Sequence, residues 1–165
     1  LSIMKSIYLF PNKLKIPALV VFIISFILIL LQPTHTFDIE INTKVFAIAN
    51  DYILEGENLN KYSVVITNNI YNEILDITFF LSGVILAFSK EKTEDEMIGL
   101  IRYKSLTYST YFTFSMLILS EIFIYGASFI PVIMFFFYGF ILFLNIFYYT
   151  KLFIYKKQFS YENED

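Results

Sequence analysis

The chain has 165 residues, of which 57% are hydrophobic and only 16% are charged, and its mean hydropathy is +0.63. This balance departs strongly from that of a water-soluble domain, so we expect the lipid bilayer to be the solvent. The net charge of −3 and the scattered basic residues exclude an extended nucleic-acid-binding surface, and the absence of cysteine excludes disulfides and thiolate chemistry.

The first predicted element is an uncharged apolar stretch at 16–31. At about 1.5 Å per residue it is roughly 24 Å long, so it crosses a hydrocarbon core of about 30 Å only together with its flanks. Lys13 and Lys15 precede it and can reach the lipid headgroups. Because no small-residue cleavage site follows Leu31, we expect a retained membrane anchor rather than a removed signal peptide.

The next segment, 32–69, is acidic in character and long enough to favour some packed structure. F-D-I-E-I at 37–41 and K-Y-S-V at 61–64 alternate apolar and polar residues, as short strands do. V-F-A-I-A-N-D-Y-I-L at 45–54 is instead compatible with an amphipathic helix on a membrane surface. The pattern does not decide between strands and a helix.

Three further apolar stretches follow, at 70–88, 106–125 and 129–149, and each is long enough to span a bilayer. Together with 16–31 they predict an all-α fold, an integral membrane four-helix bundle with a partly structured segment at 32–69, in a single membrane domain over residues 1–165. We expect Asn145, inside the fourth stretch, to form a hydrogen bond between helices.

The most charged part of the chain, S-K-E-K-T-E-D-E-M-I-G-L-I-R-Y-K-S, occupies the loop at 89–105. T-E-D-E at 93–96 matches a capping box, in which Thr93 caps the helix and Glu96 reaches back to its amide, and predicts a helix from about Glu94 to Tyr125. The loop serves either as a topology anchor and helix start alone or also as a docking surface. The candidate docking residues are Lys90, Lys92, Glu94, Asp95, Glu96 and Arg102.

The run F-S-K-E-K-T-E-D-E-M-I at 88–98, preceded by T-N-N-I-Y-N-E-I-L at 67–75, resembles a family of small four-span membrane proteins of Bacteroidota. Those proteins carry an S-K-E-K-x-E-D-E loop between their second and third spans. The resemblance covers residues 60–150 and implies the same four-span fold. It implies no activity and carries no functional residue over to this chain.

The basic residues predict the orientation of the spans. All twelve Lys and Arg residues except Lys44 and Lys61 lie before the first span, in the loop at 89–105 or in the tail at 150–165. Because cytoplasmic loops are enriched in Lys and Arg, we expect a multi-pass protein of the inner (cytoplasmic) membrane. Its loop and both termini would lie in the cytoplasm, with 32–69 outside.

Ionisable residues near the predicted outer ends of the spans are candidates for an ion or proton site, because charges inside a bilayer are costly and usually functional. They are His35, Glu73, Asp76 and Glu121. Glu73 and Asp76 are three residues apart and so share a helical face. Three interpretations stay open: a solvated boundary, a polar network between helices, and a site for a proton or a hard cation.

Nucleotide-binding, zinc-protease and serine-hydrolase motifs are absent from the sequence, so we predict neither catalytic nor metal-binding residues, and no cofactor. The sequence favours a membrane adaptor or regulator that is not an enzyme and that binds a cytoplasmic or membrane protein through the charged loop. The alternative is a homo-oligomeric channel or ion-coupled carrier that uses the outer carboxylates. A membrane enzyme is the third and weakest hypothesis.

Overall fold

A computed structural model describes residues 9–34, 39–50 and 61–162 of the chain. Within these ranges it has four α-helices and one two-stranded sheet. In chain order the elements are α1 (Lys15–Leu31), β1 (Asn42–Asn50), β2 (Lys61–Asn69), α2 (Tyr71–Ala87), α3 (Glu96–Phe123) and α4 (Phe129–Glu162). The predicted helical class is therefore confirmed, with a small sheet added to it.

The bounds of α1 and α2 follow the apolar stretches of the sequence, whereas α3 begins well before its stretch and α4 ends well after it. α1 and α2 match the predicted stretches to within one residue at each end, whereas α4 continues past Tyr149 as far as Glu162. The extension carries Leu152 and Tyr155, which continue the face of Tyr148 at helical spacing and pack beside α3. Apolar content alone predicted the part of α4 that could lie in lipid and missed the part that is held by packing.

The described chain forms two compact units. One contains Ser25–Thr78, which includes the end of α1, both strands and the start of α2. The other contains α1 as far as Ile24 together with the chain from Phe79 onwards. A single membrane domain over the whole chain stays a prediction.

The sheet in the Ser25–Thr78 unit is an antiparallel pair in which Val45 lies opposite Ile66 and Ala47 opposite Val64. These four residues share one face because successive side chains in a strand point to opposite sides. The strand predicted at 61–64 is confirmed and extends to Asn69. The helix predicted as an alternative at 45–54 is wrong for 45–50, because the β-branched and alternating residues there pair with β2; residues 51–54 lie outside the described ranges. Residues 39–41 do not form a strand, and 37–38 lie outside the described ranges.

The start of α3 differs from the predicted capping box. The helix begins at Glu96, and its N-cap is Asp95, whose Oδ1 accepts a hydrogen bond from the Ile98 amide at 2.7 Å. The prediction that Thr93 caps a helix starting at Glu94 is wrong, because the Glu94 carboxylate is held by other contacts that keep the preceding loop non-helical. Aspartate caps a helix as well as threonine does.

The other end of α3 is also shorter than predicted. The helix ends at Phe123 rather than Tyr125. Gly126 then adopts a left-handed backbone with φ of 70°, a conformation that glycine tolerates without strain and that turns the chain into α4.

One part of the core of the other unit is an aromatic contact between three helices. Phe79 of α2 is fully buried; its ring stacks on Phe22 of α1 at 4.9 Å and meets Tyr138 of α4 edge-on at 5.6 Å. Close by, Asn145 of α4 donates from Nδ2 to the carbonyl of Gly83 in α2 at 3.1 Å. The predicted hydrogen bond between helices is therefore confirmed.

Two helical stretches of the described chain are long and apolar enough to cross a membrane. They are Asn12–Leu31, with a hydropathy of 2.8, and Gly126–Gln158, with a hydropathy of 2.3. Of the 18 most apolar consecutive residues in each stretch, only 17% and 11%, respectively, are buried within the protein. α2 is shorter, with 17 residues, and the apolar part of α3 contains many Ser, Thr and Tyr residues, so neither is among these two stretches.

Candidate functional site

The most elaborate polar arrangement in the described chain surrounds Glu91, in the loop between α2 and α3. The Glu91 carboxylate is 4% exposed and pairs with Lys15 at the start of α1 through Oε1, and with Lys156 near the end of α4 through Oε2 at 2.9 Å. The hydroxyl of Tyr148 also donates to its Oε1 at 3.4 Å. One carboxylate therefore joins the loop to two helices, α1 and α4.

A second ion pair lies beside the first. Arg102, on the second turn of α3, donates to the Glu94 carboxylate at 3.0 Å and to the hydroxyl of Tyr148 at 3.1 Å. It also donates to the carbonyl of Ser89 at 3.2 Å. We refer to Lys15, Glu91, Glu94, Arg102, Tyr148 and Lys156 together as the Glu91 cluster.

Backbone contacts hold the loop in place beneath the cluster. Phe10 forms a short parallel bridge with the loop, in which its amide donates to the Phe88 carbonyl and its carbonyl accepts from the Lys90 amide, both at 2.9 Å. Asn12 donates from Nδ2 to the Lys90 carbonyl at 2.6 Å. The chain before α1 is thereby attached to the loop before α3.

The electrostatics of the cluster favour its charged forms. Burial alone would raise the pKa of the Glu91 carboxyl, but hydrogen bonds from Lys15 and Lys156 and their positive charges outweigh it, so the pKa lies below the ordinary value of 4.5. Burial alone would likewise lower the pKa of Arg102, and its contact with Glu94 outweighs this and raises that pKa. The Glu91 carboxylate and the Arg102 guanidinium are therefore both charged at neutral pH.

Apolar packing closes the cluster on one side. Ile98 of α3 and Tyr148 and Leu152 of α4 form a buried group, against which Ile101 and Tyr155 pack. The Tyr155 hydroxyl donates to the second carboxylate oxygen of Asp95 at 2.9 Å. Tyr148, at the centre of this packing, is fully buried.

The six predicted docking residues divide into two groups. Glu94, Asp95 and Arg102 are engaged in contacts within the protein, as an ion pair and a helix cap. Lys92 and Glu96 are exposed, and Lys90 is half-buried. Glu94 and Asp95 are nevertheless exposed, so of the six residues only Arg102 is buried away from a partner.

Sequence reasoning missed Glu91, Lys15 and Lys156 as members of a site. Glu91 has the same appearance as its neighbours in a run of alternating charges, and nothing in its spacing distinguishes a buried acid from an exposed one. A usable signal was the presence of basic residues in three segments predicted to lie on one side of the membrane, one of which, the loop at 89–105, also carries acidic residues that could pair with them.

The structure describes three of the four predicted ion-site residues, two of them on α2 and one on α3. Glu73, in the first turn of α2, accepts a hydrogen bond from Asn68 Nδ2 at 3.2 Å, and Asp76 is half-buried on the same helix. Glu121 is exposed near the end of α3, and His35 lies outside the described residues. Among the residues that are described, no group of three or more His, Asp or Glu side chains is arranged to hold a metal ion.

Comparison of the chain with protein-family models, with curated proteins and with solved structures finds no match. The geometry of the chain itself therefore carries the functional argument.

Proposed function

We propose that this chain is an integral protein of the inner membrane and acts there as an adaptor or regulator. All four helices cross the bilayer, and the N-terminal segment, the loop at 89–95 and the tail lie in the cytoplasm. A partner protein binds the exposed face at the start of α3.

The observation that carries the membrane proposal is the exposure of apolar side chains along α1 and α4. Ile16, Val20, Ile24 and Ile27 of α1 are all exposed, as are Phe135, Phe137 and Ile146 of α4. Contiguous apolar surface of this extent is rare on a protein surrounded by water. Lipid covers it without any change in the fold.

The Glu91 cluster supports the orientation. It brings together Lys15 from before the first span, the loop at 89–95 and Lys156 from the tail. These are the three segments that hold nearly all the basic residues. Segments that contact one another must lie on the same side of the membrane.

Contacts with neighbouring helices support the proposal that α2 and α3 also span the membrane. α3 packs along α4, and the buried contacts of α2 with α1 and α4 lie at Phe79 and Gly83, in the middle of its apolar part. A helix of 17 residues measures about 26 Å, which is close to the thickness of the hydrocarbon core.

The docking face is the side of the first turns of α3 that does not pack on α4. Ile98 and Arg102 point into the protein, whereas Glu96, Met97, Leu100 and Tyr103 are exposed. These residues precede the predicted span, so in the proposed topology they lie in water. An exposed apolar stripe with a charged edge is the usual composition of a helix that binds a protein partner.

A photoreactive amino acid at position 103 tests the adaptor proposal in intact cells. We expect it to form a discrete crosslink to another polypeptide, and Leu100→Asp should abolish that crosslink because a charge removes the apolar contact. The same photoreactive residue at Ile122, at the opposite end of α3, is the matched control and should not give that product. Equal crosslinking from both positions would contradict a specific docking face.

The alternative function, a channel or carrier, predicts a different result. Purified protein in liposomes would then conduct ions, and Glu73→Gln or Glu121→Gln would abolish the flux while leaving the crosslink intact. Such a flux would contradict the adaptor proposal.

A further inference from the structure

An open groove of about 680 Å³ runs along the side of the α3–α4 pair. It is lined chiefly by Lys104, Tyr108 and Phe112 of α3 and by Lys151, Phe147 and Phe143 of α4. Each set of three is spaced by four residues and therefore lies on one face of its helix. Because the two helices run in opposite directions, the sets meet as three successive levels.

Aromatic contacts define two of these levels. Phe112 stacks on Phe143 with ring centroids 4.7 Å apart, and Tyr108 meets Phe147 at 5.4 Å. Phe143 and Phe147 lie 5.9 Å apart along α4 and join the two levels into one surface. The floor of the groove is thus a continuous layer of rings that offers apolar contact over about 6 Å of helix.

The third level is the pair Lys104 and Lys151. The ammonium of Lys151 lies 5.7 Å from the Phe147 ring centroid, and both lysines are exposed. Neither forms an ion pair with a described residue, and none of the described residues that line the groove is acidic. Two cations at one end of an aromatic groove therefore leave a positive site that an anion would complete.

We propose that this groove binds one anionic phospholipid of the cytoplasmic leaflet. The phosphate pairs with Lys104 and Lys151, and an acyl chain lies along the rings of Tyr108, Phe112, Phe143 and Phe147. The inference rests on the membrane proposal, in which Lys104 precedes the third span and Lys151 follows the fourth, so that both lie at headgroup depth. Basic pockets at the cytoplasmic ends of membrane helices favour anionic headgroups in this way.

Native mass spectrometry of the full chain in detergent measures this binding directly. The probes are phosphatidylglycerol and phosphatidylcholine with identical acyl chains, added separately at the same concentrations. We expect phosphatidylglycerol to bind more tightly than phosphatidylcholine. The double variant Lys104→Gln/Lys151→Gln should weaken phosphatidylglycerol binding by roughly fivefold per lysine. It should weaken phosphatidylcholine binding less, because the choline cation already offsets the charge of the phosphate.

Two controls separate the groove from general charge. Lys104→Arg/Lys151→Arg keeps both positive charges and should retain the preference. Lys13→Gln/Lys157→Gln removes two exposed lysines outside the groove and should also retain it. An equal loss in this second control would overturn the proposal, because the preference would then follow net charge alone.

The same samples distinguish failure of the lipid site from failure of the membrane proposal. Wild-type protein that stays in proteoliposomes yet binds the two lipids equally overturns the lipid site only. Folded protein that remains in solution without detergent overturns the membrane proposal as well. A dimer that is lost in Lys104→Gln/Lys151→Gln, with no lipid preference in the wild type, assigns the groove to a second copy of the chain and overturns the lipid site.

Discussion

Glu91 is a buried carboxylate whose two lysine partners come from distant parts of the sequence. Its side chain is 4% exposed, compared with 22% for Lys15 and 50% for Lys156. Removing a carboxylate from water is costly unless opposite charges and hydrogen-bond donors replace the lost hydration. At this single residue the loop, α1 and α4 therefore depend on one another.

Replacing this carboxylate tests how much the cluster stabilises the protein. Glu91→Gln keeps the size and shape of the side chain but removes the charge that both lysines contact. We expect a loss of about 1–3 kcal/mol in the free energy of unfolding, below the value for fully buried pairs because Lys156 is half exposed. Thermal or denaturant unfolding in detergent measures it.

The matched control is Glu96→Gln, which removes the same charge from an exposed position at the start of α3. Its cost should be limited to a helix-dipole contribution of about 0.3–1 kcal/mol. If both variants lower the free energy of unfolding by the same amount, the buried contacts of Glu91 stabilise the protein no more than an exposed charge does.

The lowered pKa of Glu91 also predicts a pH dependence. Because the folded-state pKa lies below the unfolded value, the ion pairs stabilise the protein above the ordinary pKa of 4.5, and this contribution is lost as the pH falls through the folded-state pKa. Unfolding curves of the wild type and of Glu91→Gln should therefore be separated at neutral pH and converge in acid. A separation that grows on acidification would contradict the assigned charge state.

At the scale of single elements, the start of α3 shows how contacts from elsewhere select a helix boundary. Both Thr93 and Asp95 are good N-cap residues. Glu94 accepts hydrogen bonds from Arg102 and from the Glu91 amide, which leaves Asp95 as the residue at the helix start. The cap is therefore chosen by an ion pair and not by the local sequence alone.

Substitutions at the two candidate caps distinguish them. Asp95→Ala should destabilise the protein by about 0.5–2 kcal/mol, since the Ile98 amide loses its acceptor, and should speed hydrogen exchange over the first turn of α3. Asp95→Asn keeps an acceptor and should be milder. Thr93→Ala should change little, and a larger effect there than at Asp95 would restore the capping box.

The helices α1, α2 and α4 approach one another closely at Gly83. A Cβ built there would lie 2.3 Å from Ile141 Cγ2 of α4 and 2.8 Å from Phe22 Cε2 of α1. Gly83→Ala should cost about 1–3 kcal/mol through overpacking, although alanine favours a helix intrinsically. At Gly139, where a Cβ meets no described atom within 4 Å, alanine should instead stabilise by about 0.5–1 kcal/mol. Unfolding midpoints of the two variants should therefore move in opposite directions.

The helices could be predicted from the sequence because long apolar runs fix them locally, as in α1 and α2. The Glu91 cluster could not, because its members at 15, 91 and 156 are brought together only by tertiary contacts. The extension of α4 and the choice of Asp95 as the cap depend on those same contacts. The docking face, the outer ion site and the likeness to a four-span family stay predictions.

At the scale of the whole molecule, apolar surface dominates the helices. Side chains such as Phe135, Phe137 and Phe153 of α4 are largely exposed, and only a small part of each long apolar stretch is buried within the protein. The core of the protein therefore contains only a small share of its apolar side chains. The stability of the fold should accordingly depend on its lipid or detergent environment.

Cysteine labelling tests the proposed orientation, because the natural chain has no cysteine to interfere. In intact cells, Lys92→Cys should resist a membrane-impermeant thiol reagent, and Ile48→Cys, at an exposed position of β1, should react. Lys92→Cys should react once the cells are permeabilised, which shows that the thiol is accessible. Labelling of Lys92→Cys before permeabilisation would reverse the topology.

The spacing of the Glu91 partners also has a consequence for synthesis. The ribosome delivers Lys15 and the loop early, so their ion pair can form while the second half of the chain is still being made. Lys156 arrives only after nearly all of α4 has been translated. A nascent chain that stops before this residue carries a Glu91 with one of its two cations, and translation through Lys156 supplies the other.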